Sequence, residues 1–144
     1  MNTTIEKAIN AYGGIDLWQK SKFIEATFST HGLAFPLKQR PAFRQATLKL
    51  DINKPICQIR TIDNKKSIET VLNGQDVYLT DNEGVVTRER KAARQYFSHF
   101  RQCFVWDDLD MAYFANYAMW NYLTLPALLL RKDIQWREIK PGSL

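Results

Sequence analysis

Phe104-Val105-Trp106-Asp107-Asp108-Leu109-Asp110 leads into twenty residues, Met111 to Leu130, that carry no charge. Five of the twenty are aromatic: Tyr113, Phe114, Tyr117, Trp120 and Tyr122. A helix with one side in water carries charged residues on that side. This segment therefore reads as buried, as membrane-embedded, or as the lining of an apolar cavity. Its start is legible. Asp107 or Asp108 is the N-cap and Asp110 sits in the first turn, where a carboxylate suits the positive end of the helix dipole. Pro126 breaks or kinks the helix. A membrane span needs about 20 predominantly apolar residues. The length is present, but Asn116, Asn121, Thr124 and Pro126 are costly in hydrocarbon unless neighbouring helices satisfy them, and the sequence offers no second such segment. The mean hydropathy is −0.37. No transmembrane span is expected.

Upstream of this helix the hydrophobic period is two. In Phe23–Phe28, Ile24, Ala26 and Phe28 alternate with Glu25 and Thr27. Ala46, Leu48, Leu50 and Ile52 alternate with Thr47, Lys49 and Asp51, the clearest strand in the chain. Segments 56–62, 67–72, 77–80 and 85–87 continue the pattern. Turn residues punctuate them at Asp51-Ile52-Asn53-Lys54-Pro55, Asp63-Asn64-Lys65, Asn73-Gly74 and Asp81-Asn82-Glu83-Gly84. This predicts an antiparallel meander with one face buried and one wet. Alternation returns at 134–139, which predicts a further strand. A sheet with one bare apolar face needs a cover, and the 107–130 helix is the only segment long enough. Along that helix Met111, Phe114, Ala115, Ala118, Tyr122 and Leu125 form an apolar stripe, and Asp110, Tyr113, Tyr117, Asn121 and Thr124 a polar-tipped one.

At the N-terminus, Thr3-Thr4-Ile5-Glu6 has capping-box spacing. Ile5, Ala8, Ile9 and Tyr12 fall on one helical face. Gly13-Gly14 ends the helix, since glycine takes the left-handed conformation cheaply. A short turn, 15–20, brings Leu17 and Trp18 back onto it. A chain of 144 residues is one domain by size. The excess of Lys and Arg over Asp and Glu is five, too modest to indicate nucleic acid. Cys57 and Cys103 match no zinc or CxxC spacing and read as reduced thiols. Met1–Ala8 has no basic segment followed by an apolar run, so no signal peptide is legible and a cytoplasmic location is expected.

Catalytic motifs are not legible. His31 and His99 are isolated, and no GxSxG, HExxH, phosphate-binding or dinucleotide glycine pattern occurs. Asp107-Asp108-Leu109-Asp110 has the carboxylates for a hard cation, against the plainer reading of a helix cap. Cys103 beside Arg101 is either an activated thiol or a small core hydrophobe. Residues 88–103, read as helical or irregular, carry Arg88, Arg90, Lys91, Arg94 and Arg101 with Tyr96, Phe97 and Phe100 between them. Such a stretch can hold an anionic lipid head group at a cavity mouth, track a phosphate backbone, or simply be a solvated face. The aromatic helix either lines a cavity or is plain core.

Together, the helix ending in Ala11-Tyr12-Gly13-Gly14, the following Leu17-Trp18, the first strand Phe23-Ile24-Glu25-Ala26-Thr27-Phe28, the meander and the later helix resemble the bacterial outer-membrane lipoprotein carrier superfamily. The block from Trp106-Asp107-Asp108-Leu109-Asp110 to Asn121-Tyr122-Leu123 resembles a segment of uncharacterised bacterial proteins of that type. The resemblance implies a half-barrel of antiparallel strands closed by helices over a cavity that holds acyl chains. Two departures stand out. The carriers are exported, and their half-barrel has more strands than the six or seven legible here, as though the second half were absent.

The fold expected is α+β, one domain over 1–144: a partial half-barrel meander covered by an N-terminal helix and the long aromatic helix. The function expected is non-enzymatic binding of a hydrophobic ligand, a lipid or acyl chain, between sheet and helix. The candidate contacts are Met111, Phe114, Ala118, Trp120, Tyr122 and Leu125, with the basic residues named above at the head group. No metal or cofactor is expected. The alternative is an interaction module whose apolar surface a partner chain covers; a weaker one is nucleic-acid binding through 88–101. Too few strands to close over the helix, with a last strand at 134–139, also lead to the expectation of a homodimer.

Overall fold

The computed structural model describes residues 3–61, 68–97, 103 and 105–137. It is an α+β fold built on one six-stranded antiparallel sheet. The strands are β1 (Phe23–Phe28), β2 (Ala46–Asp51), β3 (Ile56–Thr61), β4 (Glu69–Asn73), β5 (Asp76–Thr80) and β6 (Val86–Arg90). They lie side by side in sequence order, and the sheet does not close. Helices α1 (Thr3–Ala11) and α2 (Ile15–Lys20) precede the sheet, α3 (Ala34–Leu37) follows β1, and α4 (Ala93–Tyr96), α5 (Asp108–Leu123) and α6 (Leu125–Leu129) follow β6.

Period-two patterning becomes a two-faced sheet. Leu48 stands opposite Ile59, Leu50 opposite Cys57, and Leu72 opposite Val77. All six are buried on the inner face, where cross-strand apolar pairs are the unit of sheet stability. Thr47, Lys49, Gln58, Arg60 and Glu69 lie on the other face. Gly74, at φ 65°, turns β4 into β5, a conformation that L-residues adopt at a cost.

Helix α5 crosses the inner face over β3, β4 and β5. Its cap is Asp107. The Asp110 backbone N–H donates to Asp107 Oδ1 at 2.8 Å, and the Asp107 N–H donates to Asp110 Oδ2 at 3.1 Å. This reciprocal box satisfies two donors that a helix start leaves orphaned. The helix ends at Thr124, whose hydroxyl donates to the Trp120 carbonyl at 2.6 Å. Pro126 then opens α6, where its missing N–H costs nothing.

Gly13 and Gly14 end α1 at φ 100° and 88°. The segment after them is a helix, α2, where the sequence predicts only a turn; six residues are too few for periodicity to mark. Trp18 does fold back, donating from Nε1 to the Tyr12 carbonyl at 2.9 Å. Both α1 and α2 pack on α6. The Thr3 side chain lies outside the described residues.

Two further expectations need correction. Residues 134–137 are not a strand, and 138–139 lie outside the described residues. Alternation in so short a segment makes no ladder without an edge to pair with, so this argument for a homodimer falls away. The basic stretch, read as helical or irregular, begins instead as a strand: Arg88 and Arg90 belong to β6, Lys91 to the turn after it, and Arg94 to the short α4. Arg101 lies outside the described residues.

Candidate binding surface

The start of α5 is tied to the edge of the sheet by charge. Arg90 donates from Nη2 to Asp107 Oδ2 at 2.6 Å and from Nη1 to Asp110 Oδ1 at 2.7 Å. Asp110 is fully buried. Arg88 meets Asp108 at 2.8 Å. Arg40, from the loop after α3, reaches the other oxygen of Asp108 and the Trp106 carbonyl. The carboxylates that the sequence offers as cation ligands therefore face three guanidiniums. Among the described residues, no group of three or more His, Cys, Asp or Glu is placed to hold a metal ion. Lys91 is also engaged, donating to the Tyr78 hydroxyl at 2.8 Å beside Asp76. Of the head-group candidates described, Arg94 alone stays outside these ion pairs; it is exposed on α4.

The phase of α5 differs from the stripe read in the sequence. Leu109, Ala112, Tyr113 and Asn116 are buried, and Trp120 and Leu123 continue that row half-buried against the core. Asn116 donates from Nδ2 to Thr70 Oγ1 at 2.8 Å and to the Ala112 carbonyl at 2.9 Å. Its Oδ1 is buried with no partner among the described residues. Trp120 Nε1 donates to the Asp51 carbonyl at 2.8 Å, fixing the lower half of the helix to the end of β2. The sequence-predicted contacts divide. Met111 is buried, Ala118 and Trp120 are half-buried, and Phe114, Tyr122 and Leu125 are 43%, 74% and 45% exposed. The last three and Ala118 follow one another at helical spacing on the outward side.

Phe114 joins this outward stripe to an aromatic corner. Its ring lies 4.8 Å from Trp106 and 6.1 Å from Phe97, with Phe97 also 5.1 Å from Trp106. The Lys38 ammonium sits 5.2 Å above the Trp106 ring, a favourable cation–π placement. Farther along α5, Tyr113 stacks on Tyr117 at 5.6 Å. Burial raises the Tyr113 phenol above its usual range; Tyr117 adds to this and Arg94 opposes it.

Between α5 and the sheet the side chains fill the space: Leu50, Ile59, Leu72, Val77 and Ala112 are at most 1% exposed. Burial pushes the Cys57 thiol there up to about 12, so it is neutral and inert. Two open clefts lie elsewhere. One, of about 470 Å³, is on the outer sheet face, between Glu25, Lys49, Gln58 and Arg60. The other, of about 530 Å³, lies at the end of β5 and β6, beside Asp81, Glu83 and Arg88. None of the six predicted contact residues lines either one.

No protein-family model, curated protein or solved structure matches this chain. Among the described residues, no helix is long and apolar enough to cross a membrane.

Arg40 and Asn116 were missed by sequence reasoning. Arg40 reaches its partners from more than sixty residues away, and no local pattern announces such a contact. Asn116 carried a faint signal, one of two amides in an apolar helix, which reads as a defect until Thr70 is known to face it.

Proposed function

We propose that the protein is a non-enzymatic interaction module that uses the outward side of α5 to engage an apolar surface on a partner. One observation carries this reading: Phe114 and Tyr122 stand exposed on a helix that has no charged residue after Asp110, and Leu125, at the start of α6, is exposed beside them in sequence. A solvent-facing helix side is normally polar, and contiguous apolar surface on a soluble fold marks a site of association. Inward-facing residues already account for the packing on the sheet, and Phe114 alone of the exposed three packs on the ring cluster, so Tyr122 and Leu125 are surplus to the fold.

A second reading is binding of an acyl chain or other lipid, in keeping with the lipoprotein-carrier resemblance. It is favoured by the continuity of the stripe with the ring cluster of Phe97, Trp106 and Phe114, which offers one apolar track. Mass spectrometry of an organic extract of the purified protein, with titration of an apolar fluorescent dye, tests both. Dye binding by protein that yields no lipid supports the interaction module. A stoichiometric co-purified lipid supports the second reading. Absence of both dye binding and lipid overturns the two together.

A further inference from the structure

The two edges of the sheet differ. Edge strands expose unpaired backbone groups, which proteins defend with charge, bulges or cover. β6 is defended: Arg88, Glu89 and Arg90 occupy three of its five positions, its pairing with β5 is irregular at Leu79/Thr80, and two of its arginines are held by α5. β1 carries only Glu25 as a charge, and among the described residues β2 alone pairs with it.

The ladder fixes which groups of β1 are free. The Ile52 N–H donates to the Lys22 carbonyl at 3.0 Å. With Phe23 opposite Asp51, the alternation of an antiparallel ladder turns the backbone groups of Ile24, Ala26 and Phe28 toward β2. Those of Phe23, Glu25 and Thr27 therefore point out of the open edge.

We propose that β1 is the contact edge of a symmetric dimer, in which two copies of this chain pair β1 with β1 antiparallel, with Ala26 facing Ala26 across the twofold axis. In this register Glu25 of each copy lies opposite Thr27 of the other, and these two residues exchange the outward-pointing bonds. Ile24 lies opposite Phe28 on the inner face. Both are half-buried at the margin of the core, so pairing joins the two margins. A register centred on Glu25 would set two carboxylates opposite each other, which is destabilising. Glu25 instead keeps its ion pair to Lys49 at 2.8 Å. Self-pairing of one edge closes as a twofold dimer, whereas β1 against β6 would propagate without closure. The edge thus matches itself in charge, in apolar pattern and in bond direction.

This proposal is independent of the α5 surface, and its test separates the two. Sedimentation velocity of the full chain at micromolar concentration is expected to show a dimer. Thr27→Pro removes an outward N–H on each side without touching the β1–β2 ladder, and is expected to weaken dimerisation roughly thirtyfold, the loss of two ordinary hydrogen bonds. In a Cys103→Ser background, Ala26→Cys is expected to form an intermolecular disulfide on mild oxidation, because facing Cα atoms at such a site lie about 4.5 Å apart. This second variant decides the matter if Thr27→Pro does not fold. A monomer at every concentration overturns the proposal. So does a dimer that Tyr122→Lys dissolves and Ala26→Cys fails to crosslink, an outcome that would place the contact on α5.

Discussion

The two sides of α5 obey different rules. The side toward the sheet is specified by direction: Asp107 and Asp110 to Arg90, Asn116 to Thr70, and Trp120 to the Asp51 carbonyl. The outward side, with Phe114, Ala118 and Tyr122, continued by Leu125 on α6, makes no comparable polar contact among the described residues and is specified only by the exclusion of charge. Hydropathy cannot tell the two sides apart, because both are apolar. Polar anchors choose which one the fold buries, and that choice leaves the other free for a different task.

The largest expected effect is at the anchor. Arg90→Ala leaves Asp110 buried without its cation, and breaking a buried pair in this way costs about 3–5 kcal/mol. Urea unfolding measures it, and adding Asp110→Asn should recover a large part. Full stability in Arg90→Ala would show that charge does not orient the helix. Next in size is a core truncation under the helix: Leu72→Ala should cost about 2–5 kcal/mol, while Tyr122→Ala on the outward side should cost under about 1 kcal/mol. Equal costs would erase the distinction between the sides.

Cys57 reports whether the inward side is dry. Its folded pKa, about 12, lies above the ordinary 9.0, so the unfolded thiol ionises first. The stabilising contribution is complete below pH 9 and is lost between 9 and 12, at about 1.4 kcal/mol per unit in that window. Thermal unfolding from pH 8 to 11 should fall less steeply in Cys57→Val than in the wild type. Matching slopes would mean that water reaches the thiol, and that a cavity opens between sheet and helix after all. Smaller still is Asn116→Leu. It removes a buried amide with an orphaned oxygen and keeps the branching of the side chain while enlarging its tips, so the gain and the overpacking oppose each other and stability should change by about 1 kcal/mol. A loss several times larger would mean that the amide itself fixes the packing of α5 on β4.

The first five strands were legible because each is backed by a neighbour and has one wet face, as Ala46–Asp51 between β1 and β3 shows, whereas β6, exposed along nearly all of its length, was legible only at its start. The start of α5 was legible because its cap is local, with Asp107 and Asp110 three residues apart. The rotation of α5 was not. Met111, Phe114, Ala118, Tyr122 and Leu125 form as good an apolar stripe as the row that is buried, and what breaks the tie lies on β4, β6 and the loop at Arg40. Residues 134–137 alternate as a strand does, yet they have no ladder. Arg88 and Arg90 read as free cations because their carboxylates lie 17–20 residues further on.

The smallest effect on stability should accompany the largest effect on binding. Tyr122→Lys, at a position 74% exposed, should leave the unfolding free energy within about 0.5 kcal/mol. Combined with Phe114→Lys, it should abolish the binding of an apolar dye that the wild-type protein holds at micromolar concentration. Titrating the dye into wild type and double variant, with unfolding followed on the same samples, measures the central claim directly. Lost binding with the fold intact is the predicted result. Unchanged dye binding in a folded double variant would contradict it.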